Sequence, residues 1–249
     1  MRPYYDDAGV TIYHGDCREV LPTLGPVEHV ITDPPYSEHV HAKSRAGARV
    51  LAADGHAASF SRAADFGFEA MTEALRIEVA RNVHHLVRRW VLVFSDVESS
   101  HLWRDRLTQT GLDYCRTGAW VKVGATPQFT GDRPAAGFEA ITICHPKGKK
   151  RWNGGGSHAV WSVPIVLNRG GNDPRLHTTQ KPEALMLSLV SLFSDDGETI
   201  LDPFMGSGTT LAAAKRIGRR AIGIERDERY CEVAAKRLAQ GVLPMGASA

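Results

Sequence analysis

Residues 201–210 read LDPFMGSGTT, and this stretch decides the fold. It joins residues 199–201, a β-rich run, to residues 209–217, which have helical character, so its two glycines fall in a turn from strand to helix. Glycine lets a backbone approach a ligand closely, and the start of a helix presents free N–H groups. The next predicted strand, residues 221–224, is followed by Glu225, where a carboxylate can accept hydrogen bonds from two ribose hydroxyls. The pattern predicts a site for a nucleoside-containing cofactor, with a ligand-free tight turn and a solvated strand end as the simpler alternatives.

A second motif, Asp33-Pro34-Pro35-Tyr36, follows an apolar run at residues 27–31. In an open α/β sheet ligands bind where strands end, and two prolines make this turn stiff. We expect the Asp33 carboxylate and the Pro34 carbonyl to accept both hydrogens of an exocyclic amine, while Tyr36 stacks on the base that carries it. Accepting these hydrogens frees the lone pair of the amine and stabilises the positive charge that develops as a methyl group arrives. A rigid turn with no ligand is the alternative reading.

Strand and helix patterns alternate along most of the chain. Besides the segments above, strands are predicted at residues 10–13 and 90–94, and helices at residues 18–24, 66–89, 97–110, 182–193 and 227–238. This alternation predicts an α/β fold with a mostly parallel, doubly wound sheet and helices on both faces. Residues 114–123 and 138–144 follow each other without a helix between them, so we predict an antiparallel hairpin at the edge of the sheet.

Two segments interrupt the alternation. Residues 37–65 have no sustained period, and we expect a mobile lid or a loop that faces nucleic acid. Residues 147–181 contain seven Lys and Arg residues against one Asp, a charge that suits phosphate contacts. We therefore divide the chain into a first catalytic part at 1–145, a target-recognition insert at 146–176 and a cofactor-binding part at 177–249. The candidate nucleic-acid contacts in the insert are Lys147, Lys149, Lys150, Arg151, Trp152 and Arg169. A solvated loop, with tryptophans that anchor a small subdomain, is the alternative.

The composition excludes several classes of protein. The chain has 249 residues, a formal net charge of +2 and 43% hydrophobic residues, which suits a globular domain rather than a disordered chain. No run approaches the roughly 18 apolar residues of a membrane span, and the first residues lack the apolar core of a secretory signal. We therefore expect a cytoplasmic protein with no membrane partner. The four cysteines are far apart in sequence, and His39 and His41 have no accompanying ligand set, so neither disulfides nor a metal site is predicted.

The two motifs together resemble those of DNA amino-methyltransferases that use S-adenosylmethionine. Asp33-Pro34-Pro35-Tyr36 is similar to the catalytic motif of that family, and residues 202–210 are similar to its cofactor motif. The catalytic motif comes first, the cofactor motif last and a basic segment between them, which resembles the permuted β group of these enzymes. The resemblance covers nearly all of residues 10–238 and implies a Rossmann-like methyltransferase fold with a short inserted recognition segment.

The resemblance also implies roles for residues outside the two motifs. Gly15, Asp16 and Cys17 correspond to a segment that contacts the cofactor adenine, although Asp16 could simply cap the helix that follows. Residues 177–182 resemble a segment that helps to bind the methionine part, with Lys181 either as a contact or as a plain surface lysine. The full set of candidate cofactor-binding residues is Asp16, Cys17, Asp33, Lys181, Asp202, Pro203, Phe204, Gly206, Ser207, Gly208, Thr209, Thr210, Glu225 and Arg226.

The activity that the resemblance implies is transfer of a methyl group from S-adenosylmethionine to the N6 amine of adenine in DNA, after the base is flipped out of the duplex. The Asp form of the catalytic motif is commoner among the family's adenine enzymes, and the Ser form among those that act on cytosine N4. Methylation of cytosine N4 or of an RNA amine stays open, as do a nucleic-acid-binding subunit with a degenerate site and a nicotinamide-dependent oxidoreductase. The insert is short for a complete reader of DNA, so we also expect a homodimer.

Overall fold

The structure is a computed structural model that describes residues 1–35, 70–125, 131–166 and 180–240. The loop expected at residues 37–65 lies outside these ranges, and so do Tyr36 and Arg169. Within the described ranges no helix is long and apolar enough to cross a membrane.

Nine β-strands in the described residues form a single sheet. They are β1 (Tyr5–Asp7), β2 (Val10–His14), β3 (His29–Thr32), β4 (Val91–Ser95), β5 (Asp113–Val123), β6 (Phe138–His145), β7 (Val160–Pro164), β8 (Thr199–Asp202) and β9 (Arg220–Glu225). Their spatial order is β1-β2-β9-β8-β3-β4-β6-β5-β7. The run from β2 to β4 in this order is parallel throughout. The mostly parallel sheet that the alternation of strands and helices predicts is thus confirmed.

Six α-helices in the described part of the chain pack on the two faces of the sheet. They are α1 (Cys17–Val20), α2 (Glu73–Leu86), α3 (Ser100–Gln109), α4 (Glu183–Phe193), α5 (Thr209–Arg216) and α6 (Glu228–Ala239). The first three contribute to one hydrophobic core and the last three to the other. Val91 and Val93 of β4 join the first core, whereas Leu92 and Phe94 join the second, because successive side chains of a strand point to opposite faces. The sheet is therefore doubly wound, as predicted.

Helix α2 shows how local sequence sets the bounds of an element. The Oγ1 of Thr72 accepts a hydrogen bond from the backbone N–H of Leu75 (3.2 Å), which caps the start of the helix. Val79, Val83 and Leu86 form the buried stripe that the spacing of apolar residues predicts. The helix ends at Leu86, earlier than predicted, because the next residue has an extended backbone.

The sequence patterns do not predict β1 or β7. Strand β7 pairs in parallel with β5 and forms the outer edge of the sheet, so the predicted hairpin of β5 and β6 lies one strand inside that edge. Trp161 of β7 is buried in the second core, with its ring 6.4 Å from that of Phe193. Residues 160–164 of the expected recognition insert are therefore part of the catalytic sheet.

Strand direction decides which residues can reach the functional end of the sheet. The five parallel strands β2, β9, β8, β3 and β4 end at one edge, which we name the carboxyl edge; the opposite one is the amino edge. Strand β6 is antiparallel to β4, so it starts at the carboxyl edge and ends with His145 at the amino edge. Strands β5 and β7 run opposite to β6 and end at the carboxyl edge.

Candidate active site

The two sequence motifs meet at the carboxyl edge. Strands β3 and β8 are parallel neighbours, so Asp33, just after β3, lies beside the turn that follows β8. The Thr32 hydroxyl donates a hydrogen bond to Asp202 Oδ1 (2.7 Å) and joins the two strand ends across 170 residues of sequence. Asp33 and Gly206 line the same cavity, which has a volume of about 290 Å³. Two motifs that are distant in the chain therefore form one site.

Most of the predicted site residues in the described part of the chain line this cavity. They are Asp16, Cys17, Asp33, Pro34, Pro35, Lys181, Asp202, Pro203, Phe204, Gly206, Ser207, Thr209, Thr210, Glu225 and Arg226. Gln180, from the run expected to bind the methionine part, also lines the cavity. Sequence reasoning missed further lining residues, namely Arg18, Ala70, Thr72, Leu75, Met186, Ile224, Asp227 and Tyr230. The position of Asp227 and Tyr230, just after a strand that ends in the candidate ribose ligand, is a signal that could have found both.

The glycine turn needs its glycines for backbone geometry. Gly206 and Gly208 have φ values of 50° and 76°, in the left-handed region that side chains disfavour. Gly208 is the N-cap of α5, and a Cβ at this position would lie 2.8 Å from the Cβ of Ala234 on α6. Gly208 therefore supports the cavity from behind rather than lining it, whereas Gly206 exposes its backbone to the cavity.

Glu225 holds the turn against the end of β9. Its Oε2 accepts a hydrogen bond from the N–H of Gly206 (3.0 Å), and its Oε1 accepts one from the N–H of Asp227 (2.8 Å). Burial raises the pKa of Glu225, and the backbone N–H groups offset part of that rise. Each carboxylate oxygen has a second lone pair, so the side chain can still accept hydrogen bonds from a ligand.

The buried Asp202 side chain connects the end of β3, which precedes Asp33, to the cofactor motif. Its carboxylate accepts hydrogen bonds from Thr32 (2.7 Å), from Thr210 (2.6 Å) and from the N–H of Phe204 (3.1 Å). Burial raises the pKa of Asp202 to about 6, although these donors favour the ionised form. Thr210 and Phe204 belong to the turn and to α5, so Asp202 fixes the cofactor motif to the strand that carries Asp33.

Asp16 and Cys17 line the cavity at the start of α1. Asp16 caps α1, because its Oδ1 accepts a hydrogen bond from the N–H of Arg18 (2.9 Å), and it also pairs with the Arg18 guanidinium (2.5 Å). This pairing lowers the pKa of Asp16. Burial raises the pKa of Cys17 to about 12, so the thiol is neutral at ordinary pH. Asp16 thus has the capping role that the sequence offered as an alternative, and it borders the cavity as well.

Lys181 is buried beside Asp33 rather than exposed at the surface. Its Nζ contacts Asp33 Oδ2 and lies 3.2 Å from Oε2 of Glu139, a residue of β6. Burial raises the pKa of Asp33, an effect that the Lys181 ammonium opposes and Glu139 reinforces. Burial alone would also raise the pKa of Glu139, but the ammonium groups of Lys181 and Lys122 lower it below its usual value. Sequence analysis missed Glu139, although a carboxylate within the apolar strand β6 is the signal that could have revealed it.

The basic residues expected to contact DNA lie at the other end of the sheet. They follow His145, where β6 reaches the amino edge. Lys150 pairs with Asp113 at the start of β5 (3.0 Å), and Arg151 pairs with Asp195 (3.1 Å). Trp152 packs edge-on against Phe193, with 4.7 Å between ring centroids. The structure thus does not bring Lys147, Lys149, Lys150, Arg151 or Trp152 to the cavity, because the antiparallel direction of β6 carries them away from it.

The cavity lining fits a nucleoside-containing cofactor. Glu225 offers acceptor oxygens at the end of β9, Gly206 allows a close backbone approach, and Phe204 and Tyr230 add aromatic surface. Asp33, Pro34 and Pro35 form a separate stiff corner of the same cavity. A doubly wound sheet with such a site is typical of α/β enzymes that bind a nucleoside-containing cofactor and transfer a group between it and a second substrate.

Comparison with known proteins identifies the family. A family model described as DNA methylase, of the N6/N4 methyltransferase type, matches residues 27–236. Because the match covers most of the chain, the protein belongs to the N6/N4 DNA methylase family. The type II methyltransferase M.HinfI of Haemophilus influenzae is 28% identical over 96% of this chain and 70% of its own length. The type II methyltransferase M2.DpnII of Streptococcus pneumoniae is 26% identical over 95% of this chain and 92% of its own length.

Solved structures agree with this assignment. M1.HpyAVI in complex with S-adenosylmethionine superimposes with a TM-score of 0.68 at 25% identity, over 92% of this chain and 98% of the other. The cytosine-N4-specific PvuII DNA methyltransferase has a TM-score of 0.72 at 13% identity, over 95% of this chain and 89% of the other, which is a likeness of fold alone. The protein is thus a DNA methyltransferase that uses S-adenosylmethionine, and the expected methyltransferase fold is confirmed.

Proposed function

We propose that the protein methylates the N6 amine of adenine in DNA, at a site set by its surrounding sequence. The observation that carries the proposal is the Asp33 carboxylate, which borders the same cavity as the glycine turn of the cofactor motif. An aspartate at this position resembles the family's adenine enzymes more than its cytosine-N4 enzymes. The likeness to the cytosine-N4-specific PvuII enzyme concerns the fold and does not bear on the choice of base.

Asp33, Pro34 and Pro35, which we name the catalytic corner, activate an amine that is by itself a poor nucleophile. The lone pair of an exocyclic amine is delocalised into the base, so the amine reacts only when its hydrogens are held out of the ring plane. Asp33 and the Pro34 carbonyl accept those two hydrogens, and the carboxylate stabilises the positive charge that develops on the nitrogen. S-adenosylmethionine, when bound, supplies a methyl group that is already activated by its sulfonium. The remaining task of the protein is to hold both partners in line.

The cofactor side of the cavity orients the donor. Glu225 would accept the ribose hydroxyls, and Gly206 would approach the cofactor with its backbone. Asp16 and Cys17 line the wall assigned to the adenine ring, and Lys181 the wall assigned to the methionine part. The assignments of Asp16, Cys17 and Lys181 follow the resemblance of these segments to those of the family.

The target base must leave the duplex to reach Asp33. A base paired inside DNA cannot enter a cavity at a sheet edge, so it is flipped out at a cost of a few kcal/mol. Pro34 and Pro35 keep the corner rigid while the base enters, and Tyr36 would stack on it. We place the DNA against the carboxyl edge, where Arg133 of the connection between β5 and β6 is well exposed.

A homodimer is part of the proposal. Because residues 160–164 complete the sheet and residues 147–152 lie at the amino edge, the rest of the expected insert is short for a complete reader of DNA. A second protomer would supply the missing contacts. Sedimentation with and without DNA tests this expectation, and a monomer under both conditions would contradict it.

Product analysis tests the choice of base. After incubation with DNA and labelled cofactor, nucleoside mass spectrometry should find N6-methyladenine. N4-methylcytosine as the only product would show that the adenine assignment is wrong. If RNA is methylated in preference to matched DNA in a competition assay, the substrate is RNA and not DNA.

The role of Asp33 has a test of its own. Asp33→Ala should abolish turnover while the affinity for S-adenosylmethionine, measured by calorimetry, changes by less than about threefold. Asp33→Asn is the matched variant, since it keeps the shape of the side chain but loses the charge. Substantial turnover in both variants would remove Asp33 from the catalytic role.

A further inference from the structure

Four side chains of alternating charge lead from the edge of the sheet to the catalytic corner. Lys122 Nζ lies 2.7 Å from Oε1 of Glu139, and Oε2 of Glu139 lies 3.2 Å from Nζ of Lys181, which in turn contacts Asp33. The side chains of Glu139 and Lys181 are each only 5% exposed. Lys122 and Glu139 come from the hairpin of β5 and β6, and Lys181 and Asp33 come from two other segments that are distant in sequence, so the fold itself brings the four residues together.

The surroundings of the Lys181 ammonium fix its position. A buried charge is costly unless it is paired, and here carboxylates lie on two sides of the ammonium. The ring centroids of Phe94 and Trp120 lie 5.3 Å and 5.8 Å from Nζ, which adds cation–π attraction. Two carboxylates and two aromatic rings thus hold the Lys181 ammonium in place, and Glu139 is the contact that β6 supplies.

We propose that Glu139 and Lys122 are positioning residues of methyl transfer, which hold the Lys181 ammonium against Asp33 and so set the orientation and charge of the carboxylate that receives the substrate amine. The inference rests on the catalytic role proposed for Asp33. The lining of the cavity includes Lys181 and Asp33 but neither Glu139 nor Lys122. Both residues therefore act through Lys181 and not by touching substrate or cofactor.

The charges around Asp33 give the proposal a signature. Among the described residues, the charged groups that act on Asp33 are Lys181 before α4, Glu139 on β6, Lys122 on β5 and Asp202 at the end of β8. Glu139 disfavours the ionised form of Asp33, whereas Lys122 favours it. Removing the charge of Glu139 should therefore lower the pKa of Asp33, and removing the charge of Lys122 should raise it. A purely structural role would not produce opposite signs.

The test is the pH profile of kcat/KM for DNA methylation by four full-length variants, one of them a control. Glu139→Gln should shift the acid limb of the profile to lower pH, and Lys122→Met should shift it to higher pH, each by on the order of one pH unit or less. Lys122→Arg keeps the charge and should restore the wild-type profile. Lys236→Met removes a lysine that pairs with Glu232 at the exposed surface of α6 (2.6 Å), and it is the matched control that should not shift the limb.

Two further measurements separate positioning from loss of the fold. In Glu139→Gln, kcat should fall by about tenfold or more, since catalysis by a positioned group contributes factors of this order or larger. The dissociation constant for S-adenosylmethionine should change by less than about threefold, and thermal unfolding should stay cooperative. Profiles of Glu139→Gln and Lys122→Met that superimpose on the wild type, or that shift in the same direction, would overturn the inference.

The result also separates this inference from the proposed function. If Asp33→Ala and Asp33→Asn both keep substantial turnover, the catalytic role of Asp33 fails and the inference fails with it. If Asp33→Ala is inactive but the limbs do not move, only the positioning role of Glu139 and Lys122 is wrong.

Discussion

The carboxylate of Glu225 accepts a hydrogen bond from the backbone N–H of Gly206, with 3.0 Å between the two atoms. This bond ties the end of β9 to the turn that follows its neighbour β8, so Glu225, the proposed ribose ligand, and the glycine backbone keep a fixed spacing. A second bond, from the N–H of Asp227, holds the other carboxylate oxygen. The Glu225 side chain is thus oriented by its own chain before any ligand arrives.

Glu225→Ala should weaken binding of S-adenosylmethionine. The substitution removes the acceptor oxygens for the ribose and leaves the Gly206 N–H without its partner. Hydrogen bonds to charged groups are worth roughly 1.5–3 kcal/mol, which corresponds to a loss of affinity of at least about tenfold. Titration calorimetry measures the dissociation constant for S-adenosylmethionine. Glu225→Gln keeps one acceptor oxygen, so its dissociation constant should lie between those of the wild type and of Glu225→Ala. An unchanged dissociation constant would show that Glu225 is not the ribose ligand.

Gly208→Ala should destabilise the protein more than Gly218→Ala. Both glycines have a φ of 76°, so the backbone strain of an added side chain is the same, about 1–2 kcal/mol. A Cβ at Gly218 meets nothing within 4 Å, whereas one at Gly208 lies 2.8 Å from Ala234. Chemical denaturation gives both free energies of unfolding. Equal losses would mean that α5 and α6 can move apart without cost.

Asp202 should make the protein less stable as the pH rises from about 4 to about 6. Its pKa is 3.8 in the unfolded chain and about 6 in the fold, so within this window the folded state binds more protons, and stability falls with pH. Asp202→Asn does not titrate. The free energy of unfolding of this variant, minus that of the wild type, should therefore increase by up to a few kcal/mol between pH 4 and pH 7. A constant difference would contradict the raised pKa.

Neutralising Lys147, Lys149 and Lys150 together should leave DNA binding unchanged. These lysines follow β6 at the amino edge, whereas the cavity opens at the carboxyl edge. Binding measured over a range of salt concentrations should keep its slope, while Arg133→Ala, at the carboxyl edge, should reduce the slope by about one. A flatter slope in the triple variant would mean that DNA reaches both edges.

Much of the fold and site could be predicted from local patterns. Asp33 and the glycine turn each follow an apolar strand, and parallel strands end at one edge, so their meeting follows from the alternation of strands and helices. The ends of α4, α5 and α6 lie within one residue of the predicted bounds, because each helix carries a clear apolar stripe and recognisable end signals.

Features that depend on long-range pairing escaped the sequence analysis. Strand β7 spans five residues inside a basic, Gly-rich segment, and β1 spans three half-exposed or exposed residues, so neither shows a period. The contact of Glu139 with Lys181 joins segments that no local pattern relates, whereas its contact with Lys122 lies within the predicted hairpin. An antiparallel β6 must end at the amino edge, so the position of the basic residues after it could have been deduced from the sequence. Their charge alone led to the expectation that they contact nucleic acid.

The neighbouring positions of β3 and β8 have a consequence for how the molecule acquires its shape. A contact across 170 residues requires a large loop to close, which costs entropy and slows folding. During synthesis β3 is made long before β8, so β3 lacks one of its two neighbouring strands until residues 199–202 emerge. The cavity that Asp33 and Gly206 line together is therefore complete only once β8 and β9 have docked.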